Sequence, residues 1–119
     1  MQYMLLMYFE ETSLTEEQRQ VCYQESAGYA RQLHEKGKFV SASPLQPTLT
    51  ATSVRYQGGK RTITDGPFAE TREQLGGFFI IEADNLDEAI EVASHVPAGK
   101  WGTVEIRPLI PVPGVPNAS

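Results

Sequence analysis

The order of strand and helix signals along the chain predicts an α+β fold in one domain. Three observations support this prediction. Two runs, residues 3–9 and 77–83, are apolar on both faces of a strand. Two segments begin with helix-capping residues, and a Gly58-Gly59 pair interrupts a run rich in threonine and valine. A chain of 119 residues is long enough to bury one core and too short for two ordinary domains.

The first strand and the first helix have the clearest local signals. Residues 3–9 place large apolar side chains on both sides, which is typical of a central strand covered on two faces. Thr15 followed by Gln18 is a capping box that starts a helix, and Gly37 can adopt the positive φ that ends it. One face of this helix carries Cys22, Ser26, Tyr29, Ala30 and Leu33.

Six further elements follow in chain order. They are a strand at residues 39–42, hairpin arms at residues 50–57 and 60–64, a strand at residues 77–83, a helix between Asn85 and Pro97, and a strand at residues 103–109. The resulting order, βαββαβ with an inserted β-hairpin, is the split βαβ arrangement called ferredoxin-like. We assign residues 1–110 to this domain. Several prolines predict an extended, Pro-rich C-terminal tail over residues 111–119.

Composition narrows the classes of protein. The net charge of −5 and the pI near 5.0 oppose binding to a nucleic acid backbone. A single cysteine, Cys22, excludes an internal disulfide, and two distant histidines give no zinc-ligand spacing, so we expect no metal, no cofactor and a reducing, cytoplasmic setting. The apolar run at residues 3–9 follows no basic residue and is too short to cross a bilayer, so neither export nor membrane insertion is indicated.

The predicted topology implies a homodimer. Two right-handed crossovers put both helices on one face of the sheet, which leaves the other face bare. Because the strands at residues 3–9 and 77–83 are apolar on both sides, that face would expose several large side chains to water. We therefore expect a two-fold homodimer, a dimeric α+β barrel with sheets face to face that encloses clefts for a small-molecule ligand. The alternative is a monomer whose hairpin and tail fold under the sheet.

The segment from residue 65 to residue 79 concentrates turn residues and charges. Asp65 starts a rigid Asp-Gly-Pro turn, where its carboxylate either accepts backbone hydrogen bonds or serves as a catalytic acid/base at a cleft mouth. Glu70 and Arg72 are expected in a short helical turn, either solvated or recognising a polar ligand. Gly76-Gly77 more simply allows close backbone approach than binds phosphate, because no helix follows it.

A second charged pair is expected on the bare face of the sheet. Glu105 and Arg107 alternate with Val104 and Ile106 in the last strand, so they point away from the helices. There they form either a salt bridge across the dimer interface or contacts to a ligand. Cys22 is read as a small core residue, and His34 as a cation near a helix C-terminus.

Three motifs together give the chain a family resemblance. They are Met1-Gln2-Tyr3-Met4-Leu5-Leu6, the run Asp65-Gly66-Pro67-Phe68-Ala69-Glu70-Thr71 continued by Glu73-Gln74-Leu75-Gly76-Gly77-Phe78, and Val104-Glu105-Ile106-Arg107-Pro108. The chain resembles the DGPF-domain branch of the YCII-related proteins over nearly its whole length. The resemblance implies a ferredoxin-like fold and a dimer of the α+β barrel kind. Members of the branch often occur beside extracytoplasmic-function sigma factors, and most are uncharacterised.

The resemblance also bears on activity. Many members of the wider group pair a helix histidine with an aspartate near the cleft, whereas this chain has Val21, Cys22 and Tyr23 in that region of its first helix. Asp65 is then the aspartate that remains, with the Tyr29 hydroxyl as a partner. Phe68, within the central motif, joins Tyr29, Glu70, Arg72, Glu105 and Arg107 as the ligand-binding candidates.

Two hypotheses of function stay open at the level of the sequence. The first is a small enzyme that acts on an organic molecule in the dimer cleft, with Asp65 as acid/base and Arg107 or Arg72 holding an anionic or carbonyl group. The second is a non-catalytic ligand-binding or protein-interaction module linked to transcriptional regulation. A perturbed carboxylate in a deep cavity favours the enzyme, and a shallow or filled interface favours the module.

Overall fold

A computed structural model describes residues 1–116 of the chain. Within them lie two helices and six strands in one α+β arrangement. Their bounds are β1 Gln2–Phe9, α1 Glu16–Glu35, β2 Phe39–Pro44, β3 Thr52–Gln57, β4 Lys60–Asp65, β5 Gln74–Glu82, α2 Leu86–Ser94 and β6 Gly102–Pro108. The predicted tail, residues 111–119, is irregular up to residue 116, and its last three residues lie outside the described part.

Four strands form one antiparallel sheet in the order β2-β5-β1-β6, and β3 and β4 form a separate two-stranded sheet. The apolar strand β1 is central, as its sequence pattern predicts. Leu5 lies opposite Phe79 on one side and Ile106 on the other. Side chains on this face of the sheet, which we call the core face, are buried because both helices pack on it.

The two helices begin where capping residues are found. The Thr15 hydroxyl accepts a hydrogen bond from the Gln18 amide at 3.1 Å, and the Thr15 amide donates to the Gln18 side chain at 2.8 Å, which confirms the predicted capping box. Asn85 caps α2 by accepting from the Glu88 amide at 2.9 Å. Helix α1 ends at Glu35, and Gly37, whose φ is 72°, follows the C-cap residue Lys36.

The opposite side of the sheet carries apolar side chains with no helix over them. Both helices of the described chain contact the core face, so this second face, the open face, is left without a helical layer. Its partly buried apolar residues are Met4, Leu6, Tyr8, Phe78 and Ile80. The side chains of β3 and β4 are exposed almost throughout, so the hairpin does not cover the open face in this chain.

The structure differs from the sequence prediction in the connector before β5. Residues 66–73 contain bends and no helical turn, so the helical turn expected around Glu70 and Arg72 is wrong. Side-chain hydrogen bonds to the backbone explain the difference, because they compete with helical bonding. The Gln74 amide group donates to the Thr71 carbonyl oxygen at 2.6 Å, and the Thr71 hydroxyl donates to the Glu73 carbonyl oxygen at 2.5 Å.

Candidate functional site

A cavity of about 250 Å³ lies between α1 and the core face of the sheet. Helix α1 supplies a stripe at helical spacing, formed by Arg19, Cys22, Tyr23, Ser26, Ala27 and Ala30. Strand β1, strand β2, strand β5 and two neighbouring segments supply the rest, formed by Met7, Phe9, Leu14, Phe39, Ala42, Ser43, Pro44, Gly76, Phe78, Phe79 and Ala98. The lining is therefore mostly apolar, with polar groups concentrated along one helix.

The cavity exists because several of its lining residues are small. Ala27 and Ala30 on α1 and Ala42 on β2 line it, and their short side chains do not fill the space. A Cβ atom at Gly76 would lie 2.2 Å from the Phe9 ring, so a larger residue there would require that ring to move. Gly76 lies at a register shift between β1 and β5, where the strand carries one extra residue.

Gly77 extends the same close approach. A Cβ atom at Gly77 would lie 2.9 Å from the terminal methyl of Met7 and 2.9 Å from the Ser43 carbonyl oxygen. The prediction that the glycine pair allows the strand backbone to approach its neighbours is confirmed.

Arg19 is the one charged side chain that lines the cavity within the described residues. Its Nη2 donates to the Glu11 carbonyl oxygen at 3.2 Å, and its Nε lies 3.8 Å from a carboxylate oxygen of Glu16. A guanidinium has five N–H donors, so these two contacts leave donors for a ligand. The arrangement suits an anionic or carbonyl oxygen at this end of the cavity.

The Cys22 thiol lies one helical turn further along the same stripe. Burial raises the pKa of this thiol above its ordinary value, and a hydrogen bond with Ser26 acts in the opposite direction. Because the raised pKa keeps the sulfur protonated near neutral pH, Cys22 is a weak nucleophile there. It is better suited to contact a ligand than to attack one.

Asp65 lines a second cavity, a cleft of about 470 Å³ at the base of the hairpin. Glu70 lies in the same cleft, so the structure brings these two predicted residues together. The remaining lining residues are Thr48, Leu49, Gly66, Pro67, Ala69, Thr71 and Gln74. Gln74 in this cleft and Gly76 in the cavity beneath α1 are two residues apart in β5, about 7 Å along a strand. The two spaces therefore open near the same end of β5.

The other predicted ligand-binding residues lie apart from the cavity beneath α1. The Tyr29 hydroxyl donates to the Val92 carbonyl oxygen at 2.7 Å and ties α1 to α2, and burial raises the pKa of this phenol. Phe68 is 76% exposed and lies under the Arg55 guanidinium, 5.4 Å from its ring centre. Arg72 pairs with Glu10 on the surface.

Glu105 and Arg107 lie on the open face, as predicted, and pair with each other within one strand. An Arg107 Nη1 atom is 3.6 Å from a Glu105 carboxylate oxygen. Their neighbours across the strand pairing are Leu6 for Glu105 and Met4 for Arg107. The pair is thus an exposed polar spot beside the apolar centre of the open face.

Sequence reasoning missed Arg19 and Tyr23. The prediction that Cys22 is a small core residue is confirmed, because Cys22 is buried in the core and also lines the cavity. A signal for the two missed residues was present, because Arg19 and Tyr23 continue the spacing of Cys22 and Ser26 along one side of α1. The apolar stripe of the helix did not include Arg19 and Tyr23, because one is charged and the other is large and polar.

Residues 1–116 contain no group of three or more histidine, cysteine, aspartate or glutamate side chains placed to hold a metal ion. They also contain no helix that is both long and apolar enough to span a membrane.

With this fold and this cavity, the chain belongs to the family of proteins with a YCII-related domain, which it matches over residues 1–113. A relative from Rhizobium meliloti (strain 1021), uncharacterized protein R00369, is 34% identical over 114 residues, which is 92% of each chain.

A solved structure of similar fold is that of 5-chloro-2-hydroxyhydroquinone dehydrochlorinase (TftG) from Burkholderia phenoliruptrix AC1100 in complex with 2,5-dihydroxybenzoquinone. It aligns with a TM-score of 0.54 and 19% identity, over 92% of this chain and 94% of that one. At this identity the similarity concerns the fold.

Proposed function

We propose that this chain is a small enzyme that binds an organic molecule of about one ring in the cavity beneath α1. The observation that carries the proposal is the cavity itself, about 250 Å³ in volume and mostly apolar, with polar groups along one helix. The aromatic rings and aliphatic side chains of the sheet give an apolar surface on which a planar carbon skeleton can pack. Arg19 then holds an anionic or carbonyl oxygen at one end.

We propose Asp65 as the acid/base of the reaction. Support comes from its place in the cleft that opens near the same end of β5, where a carboxylate and solvent meet. Glu70 lines the same cleft and assists by polar contact. If Asp65→Asn lowers turnover with little change in ligand affinity, the carboxylate acts in chemistry. If affinity and turnover are both unchanged while stability falls, it is only a turn residue.

Binding is tested with 2,5-dihydroxybenzoquinone, the compound bound by the protein of similar fold. Calorimetric titration of the wild type is compared with Ala30→Leu, which fills the cavity, and with Ala69→Leu, the same change in the cleft beside Asp65. We expect Ala30→Leu to weaken binding at least tenfold, about 1.4 kcal/mol, and Ala69→Leu to leave it within about twofold. Equal effects of the two variants would refute binding beneath α1.

A second candidate function is a ligand-binding module without catalysis, linked to transcriptional regulation. The raised pKa of Cys22 favours it, because the cavity then holds no ionised nucleophile. Measuring turnover of the ligand distinguishes the enzyme from the binding module. A module binds its ligand reversibly and returns it unchanged, and Asp65→Asn then has no effect on the ligand's fate.

We propose further that the chain belongs to the DGPF branch of its family and has ferredoxin-like topology. We also propose that it works in the cytoplasm. The motif that starts at Asp65 supports the branch. The strand order β2-β5-β1-β6, together with two helices on the core face, supports the topology. A free thiol at Cys22 supports a reducing compartment.

We also propose a two-fold homodimer with open faces together, an α+β barrel. The apolar side chains of the open face support it, because burying a large apolar side chain contributes about 1.5 to 3 kcal/mol. Glu105 and Arg107 border this apolar centre and can pair with their counterparts across the two-fold axis.

A further inference from the structure

The hairpin formed by β3 and β4 stands apart from the rest of the chain. It is a two-stranded sheet of its own, and an isolated two-stranded hairpin is marginally stable in water. Its turn, Gly58-Gly59, has φ values of 56° and 77°, which suit a tight two-residue connection. Contact with a further protein surface would stabilise a hairpin that has no covering layer in its own chain.

The two faces of the hairpin differ. On one face, Arg55 stacks over Phe68, so that face has a cover from its own chain. On the other face, Val54 lies opposite Ile63, and Tyr56 lies opposite Arg61. Val54 is 56% exposed, Ile63 57% and Tyr56 73%. These three side chains, which we call the arm face, form an apolar patch with no cover in residues 1–116.

The hairpin is also basic on an acidic protein. It carries three basic side chains, Arg55, Lys60 and Arg61, against one carboxylate, Asp65, although acidic residues outnumber basic ones 15 to 10 in the whole chain. None of the three forms an ion pair within residues 1–116. The rest of the chain therefore carries all of the acidic excess, and a second copy offers complementary charge.

The arm face offers apolar surface that the open face does not. The apolar side chains of the open face are already partly buried within the chain. Val54, Ile63 and Tyr56 are instead more than half exposed, so contact with a second copy would remove more of their surface from water.

We propose that the hairpin is a dimerisation arm whose arm face packs on a second copy of this chain. The proposal rests on the proposed homodimer and extends its interface beyond the open face. The apolar pair Val54 and Ile63 selects a protein surface, since such side chains gain nothing from a phosphate backbone. Arg61, which lies opposite Tyr56 on the same face, meets the acidic surface of the second copy.

The test is sedimentation equilibrium of the full chain. The triple variant Val54→Thr, Tyr56→Thr and Ile63→Thr removes the apolar arm face and keeps residues that favour strands. The matched control, Thr62→Ser with Thr64→Ser, changes exposed positions on the other hairpin face. We expect the triple variant to raise the dimer Kd at least tenfold and the control to change it by less than about twofold.

A second variant separates the arm from the open face. Leu6→Lys puts a charge in the centre of the open face and leaves the hairpin unchanged. If Leu6→Lys abolishes the dimer while the triple variant leaves its Kd unchanged, the homodimer stands and the arm proposal is overturned. If the wild type sediments as a monomer at micromolar concentration, both are overturned.

The alternative partner of the hairpin is a nucleic acid, because basic and aromatic residues on a two-stranded β-ribbon can also bind one. The probe is a fluorescent single-stranded DNA in low salt. No binding, together with a weaker dimer in the triple variant, supports the arm. Binding that Lys60→Ala with Arg61→Ala abolishes, with the dimer Kd unchanged in the triple variant, overturns it.

Discussion

Gly76 shows how one residue prepares the cavity beneath α1. The Phe9 ring occupies the position that a Cβ atom of residue 76 would take, so the strand can carry only a glycine there without moving that ring. The ring in turn lines the cavity. Glycine at this position thus lets the Phe9 ring keep its place, and its backbone needs no unusual φ.

Gly76→Ala is expected to lower the free energy of unfolding by about 1 to 3 kcal/mol, because the added methyl group overlaps the Phe9 ring. Urea unfolding measures it. The control is Gly28→Ala in α1, where the nearest atom to an added Cβ, on Arg31, is 3.7 Å away. That change should stabilise the protein by about 0.5 to 1 kcal/mol. A shift of the same sign in both variants would contradict this account.

Cys22 gives a second prediction at the scale of the residue. Because burial raises the pKa of its thiol, its reaction with a disulfide reagent at pH 8 should be much slower in the folded chain than in urea. A ligand beneath α1 should slow it further. Absorbance of the released thiolate measures the rate. Equal rates in the folded and unfolded chain would show that the thiol is accessible, contrary to its burial.

At the scale of the element, Lys38, which immediately precedes β2, forms an ion pair with Glu88 of α2. The hydrogen bond from Lys38 lowers the pKa of Glu88, and the same bond raises the pKa of Lys38. A lowered carboxylate pKa stabilises the fold above the carboxylate's unfolded pKa, and this stability is lost as the pH falls through the folded pKa. A raised lysine pKa contributes stability that is lost as the pH rises through the folded pKa of Lys38.

Glu88→Gln should therefore lower stability at pH 7, and the difference from the wild type should shrink as the pH falls below about 4.5. Urea midpoints at pH 7, 5 and 3 measure the effect. Glu17→Gln is the control, since Glu17 is exposed and forms no ion pair within residues 1–116. A difference that stays constant down to pH 3 would show that the pair does not carry the effect.

Elements were predictable from sequence where their pattern is local. The capping residues Thr15 and Asn85 fix helix starts, and a short run that is apolar on both faces fixes β1. Strand β5 begins at Gln74, three residues before the predicted start, because the extra residue at Gly76 disturbs the alternation. The cavity could not be predicted, since it is a volume left by small residues from distant parts of the chain. Patterns within one segment do not show such a space.

The predicted site residues illustrate the same limit. Asp65 and Glu70 are close in sequence and share a cleft, and Glu105 and Arg107 alternate along one strand and form a pair. Their placement could be read from short spacings. Arg19 meets the sheet only through the crossover of α1, so its place at the cavity depends on the tertiary fold.

At the scale of the whole molecule, the chain is a two-layer structure, and its Cα atoms span 46 × 42 × 22 Å. One layer is the sheet and the other contains both helices, so the open face is one of the two broad surfaces. A protein of this shape has a large apolar face relative to its volume, and association is the simplest way to remove that face from water.

Light scattering of the wild type at micromolar concentration should give the mass of two chains. Leu6→Lys should give the mass of one, because a buried, unpaired ammonium group at the centre of an interface costs several kcal/mol. Glu17→Lys, on the exposed side of α1, is the control of equal charge type and should remain dimeric. A wild type of single-chain mass would refute the homodimer and, with it, any site shared between two copies.

The polar groups of the cavity beneath α1 come from one helix, apart from Ser43, whose hydroxyl donates to the Pro44 carbonyl oxygen. A guest molecule would therefore be recognised along a single edge. The protein should discriminate strongly between isomers that differ in the substituents on that edge. Additions on the opposite side would meet mostly hydrocarbon and be tolerated according to their size. Selectivity in this protein would thus be positional, a preference for where on the ring an oxygen sits.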